Sequence, residues 1–120
     1  LVKGNYQIAV DALRKGMKAS PNFDFGIILA KALTKSGNYN EAIHLYEYLL
    51  SNYTERFRLY QGIESVKAYY YLGIAYENAN QISKAKTQYK KFIGIWKNAD
   101  TKFDSIEDAK KRLLQLNKGT

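Results

Sequence analysis

A pattern that returns three times constrains this chain more than any other feature. Alanine stands at positions 9, 42 and 85. Five residues before each lies Gly4, Gly37 or Asn80, and four residues after each lies Leu13, Tyr46 or Tyr89. Thirteen residues ahead of the later two alanines a second block recurs, Leu29-Ala30-x-x-Leu33 and Leu72-Gly73-x-x-Tyr76. Each full copy is therefore two segments of helical period, divided by Gly37 or Asn80, residue types that tolerate the left-handed backbone with which helices often end. Each copy reads as a helical hairpin.

The local signals support the hairpin. In "GNYNEAIHLYEYLL", residues 37 to 50, Gly37 closes one helix and Asn38 is placed to cap the next, with Glu41 three residues on to bond back and complete the cap. Alanine at 9, 42 and 85 suits two antiparallel helices near their joining turn, where a larger side chain would push them apart. Proline occurs once, at Pro21, and the aromatic content is dominated by eleven tyrosines against one tryptophan, a balance that favours helices over a strand-and-turn fold. The expected class is all-α, with antiparallel helix pairs stacked into a right-handed α-solenoid.

The stretch "YYYLGIAYENANQISKAKTQY", residues 69 to 89, resembles the tetratricopeptide repeat, whose pattern is W-x2-L-G-x2-Y…A-x3-F…P. The resemblance covers nearly the whole chain. Pro21 ends the first unit as that pattern requires, whereas Thr54 and Lys97 stand where the next two prolines would be. Spacing is 33 residues from Ala9 to Ala42 and 43 from Ala42 to Ala85, so an insertion is expected within "SNYTERFRLYQGIE", residues 51 to 64. Tyr53, Phe57 and Tyr60 keep helical spacing there and predict longer flanking helices that meet near Gly62. The expected organisation is a single domain over residues 1–120. It comprises the second helix of repeat one at about 4–20, repeat two at about 22–54 with its insertion to 64, repeat three at about 65–98 and a capping helix at about 104–117. The capping helix rests on Asp104 as N-cap, Glu107, and the stripe Ile106, Ala109, Leu113 and Leu116. The run "IWKNADTKFDSIEDAKKRL", 95 to 113, is similar to segments that close repeat arrays in bacterial multidomain proteins. Only Leu1 to Lys3 precede Gly4, so repeat one lacks its first helix, and the Ile8 and Leu13 flank is expected to be covered by residues outside this sequence or by a second chain. Leu1-Val2, with no initiator methionine, reads as the interior of a longer protein.

Little chemistry is on offer. The chain has no cysteine, which removes disulfides, thiolate zinc sites and a cysteine nucleophile. His44 is the only histidine and has no carboxylate pair at a fixed helical spacing. Gly4 and Gly37 read as turn residues and Gly73 as a small residue at a helix contact, not as a phosphate cradle. No catalysis, cofactor or metal is expected. Apolar runs fall well short of the roughly 20 residues that span a bilayer, and no signal-peptide pattern opens the chain, so it reads as soluble, with the cytoplasm favoured. The net charge of +8, much of it between Lys84 and Lys118, favours an acidic partner.

The family resemblance implies function through a concave groove lined by the first helix of each pair. Phasing places Asp24, Ile27, Lys31, Thr34 and Lys35 there from repeat two, and Lys67, Tyr70, Ile74, Glu77 and Asn78 from repeat three. Lysines would take carboxylates, Tyr70 and Ile74 would anchor an apolar side chain, and Asn78 would meet a backbone amide. The packing set implied beside them is Ala9, Leu13, Leu29, Ala30, Leu33, Gly37, Ala42, Tyr46, Leu72, Gly73, Tyr76, Ala85 and Tyr89. Some members of the family hold a carboxylate with a lysine/asparagine/arginine clamp. Ile28 and Tyr71 fill the asparagine and arginine positions here, so that activity does not carry over. The leading expectation is a protein-binding scaffold. Two alternatives stand beside it. One is RNA or single-stranded nucleic-acid binding through tyrosines interleaved with lysines, against which most tyrosines fall on packing stripes. The other is self-association through the open N-terminal flank.

Overall fold

The computed structural model describes residues 3–19, 23–52, 67–96 and 104–118, and every regular element among them is a helix. In chain order these are α1 (Lys3–Ala19), α2 (Phe23–Lys35), α3 (Tyr39–Asn52), α4 (Ala68–Asn78), α5 (Ile82–Trp96) and α6 (Asp104–Lys118). The protein is all-α. It divides into two compact units, Leu1–Ala68 and Tyr69–Thr120. The first unit holds α1 to α3, and the second holds α5, α6 and all of α4 beyond Ala68.

Both hairpin turns are built the same way. Gly37 (φ 88°) and Asn80 (φ 63°) are left-handed. The Gly37 amide donates to the Thr34 carbonyl at 3.2 Å and the Asn38 amide to Leu33 at 2.8 Å; the Asn80 amide donates to Glu77 at 3.0 Å and the Gln81 amide to Tyr76 at 2.8 Å. This pairing satisfies carbonyls that a helix end leaves without partners. The next helix then starts with Ala42 donating to the Asn38 carbonyl and Ala85 to that of Gln81. The Asn38 carboxamide donates to the Ser36 hydroxyl at 2.9 Å, and that hydroxyl donates to Leu33 at 3.0 Å, so the buried Ser36 is satisfied. The Glu41 carboxylate, expected to turn back onto the cap, is engaged by Arg14 of α1.

In the first unit α2 packs against both α1 and α3. Ile27, Leu29, Ala30, Ala32 and Leu33 are all buried, which is why this helix is apolar around most of its circumference. A Cβ on Gly26 would lie 2.6 Å from Leu49 Cδ2, so glycine sets the α2–α3 approach, while a Cβ on Gly16 would lie 3.3 Å from the Phe25 ring. Val10, Tyr46 and Leu49 complete the core, each such large side chain contributing about 1.5–3 kcal/mol by leaving water. In the second unit a Cβ on Gly73 would lie 2.6 Å from Tyr89 Cε1. Tyr89 and Phe92 are fully buried between the helices of that hairpin and α6, which packs on α5 through Ile106 and Ala109.

Several expectations fall differently. Gly4 is helical, inside α1, with no preceding helix among the described residues for it to terminate. Ala9 is exposed where Ala42 and Ala85 are fully buried, since among the described residues no first helix of its own pair lies on it. Pro21, Thr54, Lys97 and the insertion residues Tyr53, Phe57, Tyr60 and Gly62 lie outside the described residues. Among those described, no helix is long and apolar enough to cross a membrane.

Candidate functional site

The outward face of α2 combines an exposed apolar side chain with two cations. Ile28 is 51% exposed, an unusual position for isoleucine in a helix whose neighbours Ile27 and Leu29 are 1% and 6% exposed. Lys31 and Lys35 follow at three and seven residues, one above the other on the same side of the helix. Lys31 is half-buried and Lys35 exposed. Lys35 also stands in the last turn, where the negative end of the helix dipole favours a cation. Thr34 turns its hydroxyl back onto the Ala30 carbonyl at 2.9 Å, so its hydrogen-bonding capacity is partly used within α2.

This placement corrects one expectation and supplies a residue that phasing missed. Ile27, assigned to the groove, is in the core, and Ile28 is the outward isoleucine. The physical reason is the packing of α2 on both its neighbours, which leaves a narrow outward strip that keeps Lys31 and Lys35 and excludes Ile27, about 100° round the helix from Ile28. A four-residue apolar run, Ile27 to Ala30, spans a full helical turn and so had to put one member outward.

On α4 the expected positions are divided. Lys67 precedes the helix and is half-buried; Ile74 is half-buried and Asn78 is exposed, its amide donating to the Ile74 carbonyl at 2.9 Å within the helix. Tyr70 and Glu77, expected to line the groove, are instead engaged by α6. The Tyr70 hydroxyl donates to Asp108 Oδ2, which also accepts from Arg112 Nε at 2.7 Å; Arg112 Nη1 reaches Glu77 Oε1 at 3.3 Å, and Tyr89 donates its hydroxyl to that same Glu77 oxygen at 2.8 Å. Five side chains from three helices thus form one polar network over an aromatic cluster in which Tyr70 lies 5.5 Å from Phe92 and 6.4 Å from Tyr89 between ring centroids.

Electrostatics follow from this wiring. Burial, together with hydrogen bonding to the Asp108 carboxylate, pushes the Tyr70 phenol up to about 12. Burial and Glu77 push Tyr89 higher still. Burial by itself would raise Asp108, but hydrogen bonds from Tyr70 and Arg112 outweigh it and hold the carboxyl below its ordinary value. Burial likewise opposes the Arg112 charge, and Asp108, with its neighbours, more than restores it. The network is a structural clasp for α6.

The remaining predicted residues are core or turn. Leu29, Ala30, Leu33, Ala42, Tyr46, Leu72, Tyr76, Ala85 and Tyr89 are each at most 6% exposed, Gly73 is buried, and Leu13 and Gly37 are half-buried. His44 is exposed on α3, and among the described residues no group of three or more His, Asp or Glu is arranged to hold a metal. Lys84 lies over the Tyr76 ring and Lys91 over Tyr69, each at 5.7 Å, so these lysines sit on aromatic faces of their own hairpin. The family model for the tetratricopeptide repeat matches residues 67–99, the stretch that contains α4 and α5. No curated protein matches the chain.

Proposed function

Since residues 67–99 are a tetratricopeptide repeat, a unit whose general work is non-catalytic protein binding, we propose that this chain is a scaffold module that holds an acidic, partly apolar peptide segment of another protein along α2. The observation that carries the reading is the outward strip Ile28, Lys31 and Lys35, an apolar anchor point flanked by cations. An aliphatic or aromatic side chain of the peptide covers Ile28, and its carboxylates meet the two lysines. The net charge of +8 steers such a partner in.

Magnitudes limit what the strip does unaided. Covering the exposed half of Ile28 contributes about 1 kcal/mol, and each solvated ion pair about 0.2–1 kcal/mol. Together that falls short of the roughly 4 kcal/mol of a millimolar complex, so the strip sets specificity and further contacts supply affinity. Peptide display against the immobilised chain tests the reading. Selected sequences should place Asp or Glu on either side of a large apolar residue, and their binding should fall at least tenfold in an Ile28→Ala/Lys31→Ala/Lys35→Ala variant with unchanged helicity. Selected peptides that the variant binds as well as the wild type would overturn it.

A further inference from the structure

The outward faces of α3 and α5 hold equivalent places in the repeat and carry opposite charge. On α3 the exposed residues are Asn40, Glu41, His44, Glu47, Tyr48 and Ser51, and the helix has no lysine or arginine. At the offset of 43 residues that relates Ala42 to Ala85, α5 presents Ser83, Lys84, Thr87, Lys90, Lys91 and Gly94, with Ile95 beside them. Its 15 residues include four lysines and no carboxylate. The fold does not require lysine at 84 and 90, since the other hairpin fills those places with Glu41 and Glu47. Glu77, the one carboxylate of α4, is taken up by Arg112 and Tyr89 in the clasp. Lys84 and Lys91 lie over the Tyr76 and Tyr69 rings, each at 5.7 Å from the centroid, and stay exposed about 10 Å apart along the helix.

We propose that this face of α5 docks on duplex DNA, lying along the major groove with Lys90 toward one phosphate backbone and Lys84 and Lys91 toward the other. At 100° per residue the exposed side chains span roughly 140° of the helix, Lys90 at one edge, Lys84 and Lys91 near the other, and Ser83, Thr87 and Gly94 between. The intervening side chains are short, and nothing lies within 4 Å of the Gly94 Cβ position. A B-DNA major groove, about 12 Å wide, admits such a helix, whereas that of duplex RNA is too deep and narrow. Single strands are held by stacking bases on aromatic rings. This face offers none, with Tyr69 half-buried and Tyr76 4% exposed. No arginine, asparagine or glutamine is exposed on it to read a base edge, so the contact is with phosphates and shows no sequence preference. An anionic membrane is the poorer fit, because Ile95, 37% exposed, is the one large apolar side chain turned outward among the described side chains of α5.

The test titrates the whole chain into a labelled, random-sequence duplex of about two helical turns, read by fluorescence anisotropy between about 50 and 200 mM salt. Lys84→Gln/Lys90→Gln/Lys91→Gln should weaken binding at least tenfold at the lower salt. It should also flatten the slope of log K against log salt by about 2–3, at roughly 0.9 per phosphate. Lys15→Gln/Lys18→Gln/Lys118→Gln removes the same three charges from exposed positions of α1 and α6 and should change that slope by less than about 1. Lys90→Glu leaves both ring contacts intact, gives the position the residue α3 carries there, and should weaken binding severalfold with unchanged helicity. Equal losses in the two triple variants, unaltered binding by Lys90→Glu, tighter binding of a single strand of the same length, or equal binding of polyglutamate or phosphatidylglycerol vesicles would each overturn the proposal.

Discussion

Two helical glycines of the second unit should respond to the same substitution with opposite signs. Gly94 is exposed on α5, with nothing within 4 Å of the position its Cβ would take. Gly94→Ala should therefore show only the helix-propensity gain, up to about 1 kcal/mol and less if the end of α5 frays. Gly73 is buried on α4, and its Cβ would fall 2.6 Å from Tyr89 Cε1 and 2.8 Å from Cδ1. Those atoms belong to a rigid ring that is fully buried and tethered through its hydroxyl to Glu77, so the ring has nowhere to retreat. Overpacking of this kind costs about 1–3 kcal/mol, set against the same propensity gain of about 1 kcal/mol. Gly73→Ala should then lose up to about 2 kcal/mol. Gly26→Ala should lie between the two, because its obstacles are the methyl groups of Leu49, which yield by a rotamer change where a ring cannot. Urea unfolding followed by circular dichroism reads all three. The sharper version is a double-mutant cycle: in a Tyr89→Leu background the obstacle is gone, and Gly73→Ala should turn neutral or stabilising, a coupling of about 1–3 kcal/mol. Gly73→Ala stabilising the wild type as much as Gly94→Ala does would refute the close approach of α4 and α5.

Other outcomes follow from the turns and the clasp. Gly37→Ala, at φ 88°, should cost about 1–2 kcal/mol, while Asn80→Gly, at φ 63° in the same hydrogen-bonded turn, should be neutral or gain up to about 1 kcal/mol; thermal melts of the two variants decide it. For Tyr70 the folded pKa, about 12, lies above the ordinary 10.0, so the protonated phenol contributes stability that is complete below pH 10 and lost as pH rises through 12; Tyr89 acts in the same direction. Alkaline titration by phenolate absorbance should show two tyrosines ionising late and together with loss of helix, and Tyr70→Phe should remove one of them. For Asp108 the folded pKa is lowered, so its contribution is present above the ordinary carboxyl value and lost as pH falls through the folded one; Asp108→Asn should flatten acid unfolding in that window. Arg14→Ala should change stability by less than about 1 kcal/mol and respond to salt, since both it and Glu41 are largely solvated.

What the sequence made legible was whatever repeats within a few residues. Gly37 and Asn80 announce the left-handed turns, and the small-residue positions 42, 73 and 85 lie at the contacts their spacing implies. What it concealed depends on partners far along the chain. Tyr70 and Asp108 are 38 residues apart, and nothing local to either indicates that α6 claims a position otherwise assigned to a groove. Ile27 and Ile28 are chemically identical neighbours, so only the set of helices packed around α2 separates core from surface. Ala9 carries the same signature as Ala42 and Ala85 yet lies exposed, because a packing motif describes one half of a contact.

The binding claim is tested most directly by a residue-resolved map of where a peptide lands. A display-selected acidic peptide with a central leucine or phenylalanine, titrated into isotope-labelled chain, should shift the amide resonances of Ile28, Lys31 and Lys35 first and most, with the shifts weakening as salt is raised. Saturable shifts confined to other helices, or none at all along α2 at millimolar peptide, would contradict the account.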